Sequence, residues 1–225
     1  MSGIFSDIEI KAALKTGQVV IDPYLPENVK GASVDLRLGE WFYVTDSASN
    51  QDYYNPFDTA SVADYFKGPL KATSNQDWAD HHNRKPWKNI PLDHPIIVLR
   101  PHERLLAHTI EFIGIAYEGT TGMQARSTWG RNGIVVCKDA GWGDPGYVNR
   151  WTMEIQNDNN VSVALPVGMR IAQMVFYHMA KSEKNYGDND KYHISGTIEE
   201  MKKAWKPEMM LPRAFQDIIE LPPKL

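Results

Sequence analysis

The sequence predicts an all-β (mainly β) domain with a short N-terminal helix and a partly helical C-terminal tail, and three observations carry that reading. Between residues 96 and 179 the chain is broken about every ten residues by Gly or Pro, with short apolar runs between the breaks, the spacing of a sandwich or barrel. Residues 33–38 and 151–155 alternate apolar and polar side chains strictly, the period of a strand with one buried face. The clearest helical spacing lies in the opening residues and in a stretch near 198–205 in a polar tail.

Taken in order, the first element is a helix with both ends written in the sequence. Ser6 and Glu9 form an S-x-x-E capping box, Ile8, Ala12 and Ala13 begin an apolar stripe, and Gly17 stops it. A short strand at 19–21 ends at Asp22-Pro23, and a second, 33–38, places Val34, Leu36 and Leu38 on one face before Gly39. Residues 45–95, rich in Asp, Asn, Ser, aromatics and proline, are expected to be loops with one short helix, an elaborated surface insertion. Strands are then expected at 96–99, 104–108, 112–116, 134–137, 151–155, 161–165 and 170–177. Ile198, Met201 and Trp205 begin a helical tail broken by Pro207. The 225 residues thus divide into one domain, 1–196, and a C-terminal tail, 197–225.

Composition narrows the function. A net charge of −4 and an isoelectric point near 6.0 speak against a nucleic-acid or membrane-surface binder. The apolar runs are far too short to span a membrane, and the first residues carry no basic or long apolar leader, so a soluble cytoplasmic protein is expected. The single cysteine, Cys137, excludes an intrachain disulfide and a multi-cysteine zinc cage. No His is followed two residues later by Glu, so the zinc-dependent base deaminases are excluded on ligand count. Neither a Walker loop nor a G-x-S-x-G elbow is present.

Unusual residues concentrate between 122 and 156. Arg126-Ser127-Thr128-Trp129-Gly130-Arg131 joins two guanidiniums to two hydroxyls, an anion-binding set or equally a capped turn with surface arginines. Asp139-Ala140-Gly141-Trp142-Gly143-Asp144-Pro145-Gly146-Tyr147 reads as a tight hairpin, either bare or able to bring its backbone close to a planar base. Glu154 shares a strand face with Thr152. Solvated, it is an ordinary surface carboxylate; buried beside the hairpin, it becomes a proton shuttle with a raised pKa.

In order and spacing these segments, with Pro166-Val-Gly-Met-Arg-Ile-Ala-Gln173, Ser6-Asp7-Ile8-Glu9, Ile21-Asp22-Pro23 and Gly31-Ala-Ser-Val-Asp-Leu-Arg-Leu-Gly39, resemble the motifs of the dCTP deaminases of the trimeric dUTPase-like superfamily, over roughly residues 4–196. The resemblance implies a distorted dUTPase-like β-barrel, a homotrimer with sites between subunits, and Mg²⁺ arriving with the triphosphate while no zinc takes part. It implies that Glu154 shuttles the proton and that Ser127 and Arg131 orient the attacking water and the glutamate. Arg126 and Thr128 fall in the phosphate- and site-lining segment, Asp144 matches the acid that holds the sugar 3′-hydroxyl, and Tyr147 lies against the sugar. Lys138, Asp139 and Ala140 stand where the family packs residues near the base, Gln173 closes its motif on the substrate side, and Tyr186 and Lys191 belong to the segment that covers the triphosphate. The chain departs from the family at Asp139, usually a hydroxyl or small polar residue, and at Ser195, usually a glutamine. The activity implied is deamination of dCTP to dUTP and ammonia. The alternatives are a bifunctional enzyme ending at dUMP and pyrophosphate, and a nucleotide-binding regulator without turnover.

Overall fold

The computed structural model describes residues 3–45, 53–187 and 190–217. Helix α1, Asp7–Thr16, opens with the expected reciprocal cap between Ser6 and Glu9 and ends at Gly17 in the left-handed region, φ 75°. Ile10 and Ala13 are its buried side chains; of the expected stripe Ala13 is buried, whereas Ile8 and Ala12 are exposed and Ile10 takes their place.

Strands β1 (Val19–Asp22), β2 (Val29–Lys30), β3 (Ser33–Arg37) and β4 (Trp41–Thr45) follow. The segment expected as loops and one helix holds two short helices, α2 (Thr59–Tyr65) and α3 (Asn75–His81), and two strands, β5 (Phe66–Lys71) and β6 (Thr73–Ser74). The remaining strands are β7 (Pro95–Leu99), β8 (Arg104–Ile115), β9 (Thr120–Ala125), β10 (Ile134–Val136), β11 (Trp142–Gly143), β12 (Val148–Asn157), β13 (Val163–Pro166) and β14 (Arg170–Tyr177). One helical turn, α4 (Ser127–Arg131), links β9 to β10, and α5 (Ile198–Ala204) with a 3₁₀ turn, Pro207–Met210, forms the tail.

All pairings are antiparallel. A six-stranded sheet runs β10-β12-β8-β4-β5 with β1 also on β8, a five-stranded sheet runs β11-β9-β14-β3-β2, and β13-β7-β6 make a third. Leu36, Leu38, Ile113, Ile155, Met174 and Phe176 bury their side chains in the main core, each burial worth roughly 1.5–3 kcal/mol. A second apolar cluster lies on the outer face of the six-stranded sheet, where the tail lays Met201, Trp205 and Met210 onto Tyr43, Phe66, Leu106 and Phe112.

The two expected strands 104–108 and 112–116 are one strand, β8. The polar residues between them are buried and satisfied inside the sheet: Thr109 donates its hydroxyl to the Glu111 carbonyl at 2.7 Å, and Glu111 accepts from the Arg37 Nε at 2.6 Å. The off-face residue of β3, Asp35, is likewise buried, held by Arg126 at 2.9 Å and Arg170 at 3.2 Å.

Candidate active site

A cleft of about 570 Å³ opens on the outer face of the six-stranded sheet, walled by β12 and β8, by the hairpin around Asp144, by Tyr186 and Tyr192, and by Met209, Met210 and Pro212 of the tail. Its floor follows from the alternation along β12. Trp151, Met153 and Ile155 point into the core, which leaves Arg150, Thr152 and Glu154 half-buried on the cleft side.

Glu154 is fixed from two sides. β12 pairs with β8 through Glu154 and Leu106, and the Cys137 N–H donates to the Glu154 carbonyl at 3.0 Å. The Cys137 thiol donates to its carboxylate, while Oε2 is buried without a hydrogen-bond partner among the described residues. Burial pushes the carboxyl above the usual carboxylate range, with the Arg104 charge and the Cys137 hydrogen bond pulling the other way. The same burial, with the Glu154 charge adding to it, pushes the Cys137 thiol up, so it stays protonated and serves as a donor.

The hairpin needs its glycines. A Cβ on Gly141 would lie 2.0 Å from the Met123 carbonyl oxygen, and the Met123 N–H donates back to Gly141 at 2.7 Å. Gly146 has φ +93°, and its Cβ would meet the Tyr186 carbonyl at 2.8 Å. That contact seats the closing segment. Tyr186 donates its N–H to the Pro145 carbonyl at 2.7 Å, and its ring meets Tyr147 edge-on at 4.8 Å. Tyr147 in turn meets Trp151 edge-on at 5.1 Å, and burial holds its hydroxyl protonated. Asn149 donates to the Tyr192 carbonyl at 2.9 Å, and the Tyr192 hydroxyl accepts from the Arg213 N–H at 3.1 Å, which ties the closing segment to the tail.

Of the residues singled out in the sequence, Glu154, Ala140, Asp144, Tyr147 and Tyr186 line this cleft. Ser127, Thr128 and Arg131 stand exposed on α4, outside it. Arg126 is committed to Asp35, Gln173 lies in β14 opposite Gln124 and Asp35, and Lys191 pairs with Asp217. Lys138 and Asp139 are exposed in the turn just before Ala140, with Cys137 and Lys138 both at positive φ, 62° and 41°. The run Gly141-x-Gly143-x-x-Gly146 spells a dinucleotide fingerprint but connects β11 to β12 with no helix opening, so that fingerprint's phosphate-binding geometry is absent here.

Arg104, Arg150, Tyr54 and Phe66 line the cleft without having been singled out, and Tyr192, which the resemblance places in the closing segment, lines it too. Arg150 was legible, since the alternation that pairs Thr152 with Glu154 extends to it. Its guanidinium lies 5.0 Å from the Phe112 ring and 4.7 Å from the Trp205 ring, its Nε is unpartnered among the described residues, and burial lowers its pKa. Tyr54, Phe66 and the tail methionines come from segments without period, where no local signal existed.

The family profile described as dCTP deaminase-like matches residues 4–179. The chain is 34% identical over 190 residues to the dCTP deaminase, dUMP-forming, of Methanosphaera stadtmanae, a match covering 84% of this chain and 86% of that one. It is 33% identical over 197 residues to the enzyme of the same name from Methanopyrus kandleri, covering 84% and 90%. Among solved structures, the 2'-deoxycytidine 5'-triphosphate deaminase of Agrobacterium tumefaciens shares the fold at a TM-score of 0.54 and 19% identity, covering 79% of this chain. This chain spans about half the length of that structure, 49%. With the profile spanning the chain from before the first helix to the end of β14, this protein belongs to the dCTP deaminase-like family.

Proposed function

We propose that this protein deaminates the cytosine of dCTP and releases pyrophosphate at the same site, ending at dUMP. The observation that carries the reading is Glu154: a half-buried carboxylate on the cleft floor, one oxygen buried without a partner among the described residues, its pKa raised by burial. In the first step Glu154 takes a proton from a water as the water oxygen bonds to C4 of the ring. That proton goes to the ring nitrogen, the second water proton passes from the C4 hydroxyl to the amine, and the C4–N bond breaks as the C4 carbonyl forms and ammonia leaves. In the second step a water attacks the α-phosphorus and pyrophosphate departs. Asp144, exposed at the cleft wall, is the acid assigned to the sugar 3′-hydroxyl and to that water.

The product expected first from the sequence was dUTP. It gives way to the alternative because the relatives above are named dUMP-forming. Mg²⁺ is assigned to the triphosphate and enters as part of the substrate. Ser127, Thr128 and Arg131, exposed on α4, are assigned to the cleft of a neighbouring chain in a homotrimer, where Arg131 and Ser127 would reach a partner's Glu154.

The test is incubation with dCTP and Mg²⁺ followed by anion-exchange separation. The expected outcome is dUMP and pyrophosphate without accumulating dUTP; dUTP accumulating in step with ammonia would leave a deaminase alone. E154Q is expected to lower ammonia release by about 100- to 10,000-fold while dCTP binding, followed by calorimetry, persists.

A further inference from the structure

We propose that a second cleft, on the opposite face of strands β4 and β5 from the catalytic one, binds a nucleoside triphosphate. The alternation of β4 separates the two. Tyr43 packs beneath the catalytic side with Phe66 and Leu106, whereas Phe42 and Val44 line the second cleft, and the two clefts share no lining residue among those described.

The second cleft has a volume of about 1040 Å³ and is walled by Lys71, Trp78, Arg84, Lys85, Trp87 and Lys88. That is at the upper end of the size range for small-ligand sites. In a chain of net charge −4 this wall gathers cations; Lys71 is paired with Glu40 at 3.3 Å, and the acid that lines the cleft, Glu103, is engaged by Arg100 at 2.7 Å, which leaves the charge of Arg84, Lys85 and Lys88. Arg84, Lys85 and Lys88 are exposed and, among the described residues, have no carboxylate partner. Like charges gathered in a concave wall focus potential on an anion far better than the same charges dispersed.

The aromatic half of the wall gives the ligand its second part. Trp78 and Trp87 lie 5.5 Å apart with their planes at 46°, and Trp78 stacks on His82 at 4.7 Å. The Trp87 Nε1–H is buried and has no acceptor among the described residues. Indoles offer a stacking surface to any nucleobase, and an unpaired indole donor favours a ligand that brings an acceptor. Polyphosphate on the cations and a base on the indoles is the ligand that uses both halves.

The wall is also pre-organised. Asn75, fully buried at the start of α3, donates to the carbonyls of Trp87 and Ile90 at 3.0 and 2.9 Å and accepts from the Trp87 N–H at 2.8 Å. One side chain thereby fixes the loop that carries Arg84, Lys85 and Lys88, which lowers the ordering cost of binding.

The full-length protein is titrated with ATP in Mg²⁺, reading tryptophan fluorescence and, by calorimetry, stoichiometry. Expected is saturable quenching at one ATP per chain, weakened at least about tenfold in R84A/K85A/K88A, with dCTP turnover unchanged in that variant and most of the quenching lost in W87F. Absence of saturable binding overturns the proposal, as does binding that the triple variant leaves intact and dCTP displaces, which would place ATP in the catalytic cleft. Inorganic tripolyphosphate binding as tightly as ATP would show an anion site without base recognition. An oligodeoxythymidylate displacing ATP at far lower concentration would make single-stranded nucleic acid the occupant. Binding is read without turnover, so failure of the proposed deamination would leave this test standing.

Discussion

Glu154 on β12 pairs with Leu106 and His108 on β8 pairs with Thr152, so the two sit on adjacent strands, and burial desolvates both. Desolvation penalises whichever form is charged, so it moves the two in opposite directions. The carboxyl rises, and the acid limb of the deamination profile is accordingly expected above the range of a free glutamate. A profile flat down to pH 4.5 would remove Glu154 as the base. His108 falls to about 4, through burial first and the Arg150 charge besides. Its Nδ1 lies 2.8 Å from the Thr109 carbonyl while Nε2 accepts from the Trp41 N–H at 3.3 Å, so a second proton would face a donor. The unfolded chain protonates this ring near pH 6.5 and the folded chain only near 4. Stability is therefore full above 6.5 and is lost as pH falls toward 4, by about 2 kcal/mol between pH 7 and 5. Urea unfolding at the two pH values measures this, and H108N should show a smaller decline; an undiminished one would assign it to other groups. At this scale the sequence was generous with Glu154, whose strand alternation was plain. It was silent on His108, because nothing local shows that a tail distant in sequence will cover it.

The elements that could be read were those whose pattern is their cause. A capping box and a terminal glycine write α1, and alternation writes β3 and β12. β5 escaped because Gly68-Pro69 interrupts it, which a strand tolerates only at an edge, and β5 is the edge of its sheet. β9, Thr120–Ala125, escaped because it is too polar to look buried. The tail was visible as a helix, but its docking was not. Trp205 lies 4.7 Å from the His108 ring and at the same distance from the Arg150 guanidinium, and Lys202 forms an ion pair with Asp22. W205A is expected to cost about 3 kcal/mol, seen as a lower urea midpoint, and to raise the KM for dCTP more than it lowers kcat, since Met209, Met210 and Pro212 would lose their seat on the cleft wall. An unchanged KM would leave the tail a purely structural cover.

At the scale of the whole molecule, the site as read from motifs is wider than the site one chain assembles. Glu154, Asp144, Tyr147 and Tyr186 meet around one cleft; Ser127, Thr128 and Arg131 face outward from the same chain. Sequence order tells which residues travel together in a family but not which chain presents them to the substrate. If the trimer proposed above divides the site, E154Q and R131A are each inactive alone, and after mixing, dissociation and reassembly about a quarter of sites regain both residues. Ammonia release from the mixture measures this; no recovery would place both residues in one chain's site. Cys137, hydrogen-bonded to Glu154 and 1% exposed, has a further consequence for the assembled protein. As the one thiol in the sequence, buried and held protonated, it should resist iodoacetamide for as long as the catalytic floor stays closed. The rate at which it becomes alkylated is then a clock for opening of that floor, and slower alkylation on adding a nucleotide would measure how far that ligand holds the sheet shut.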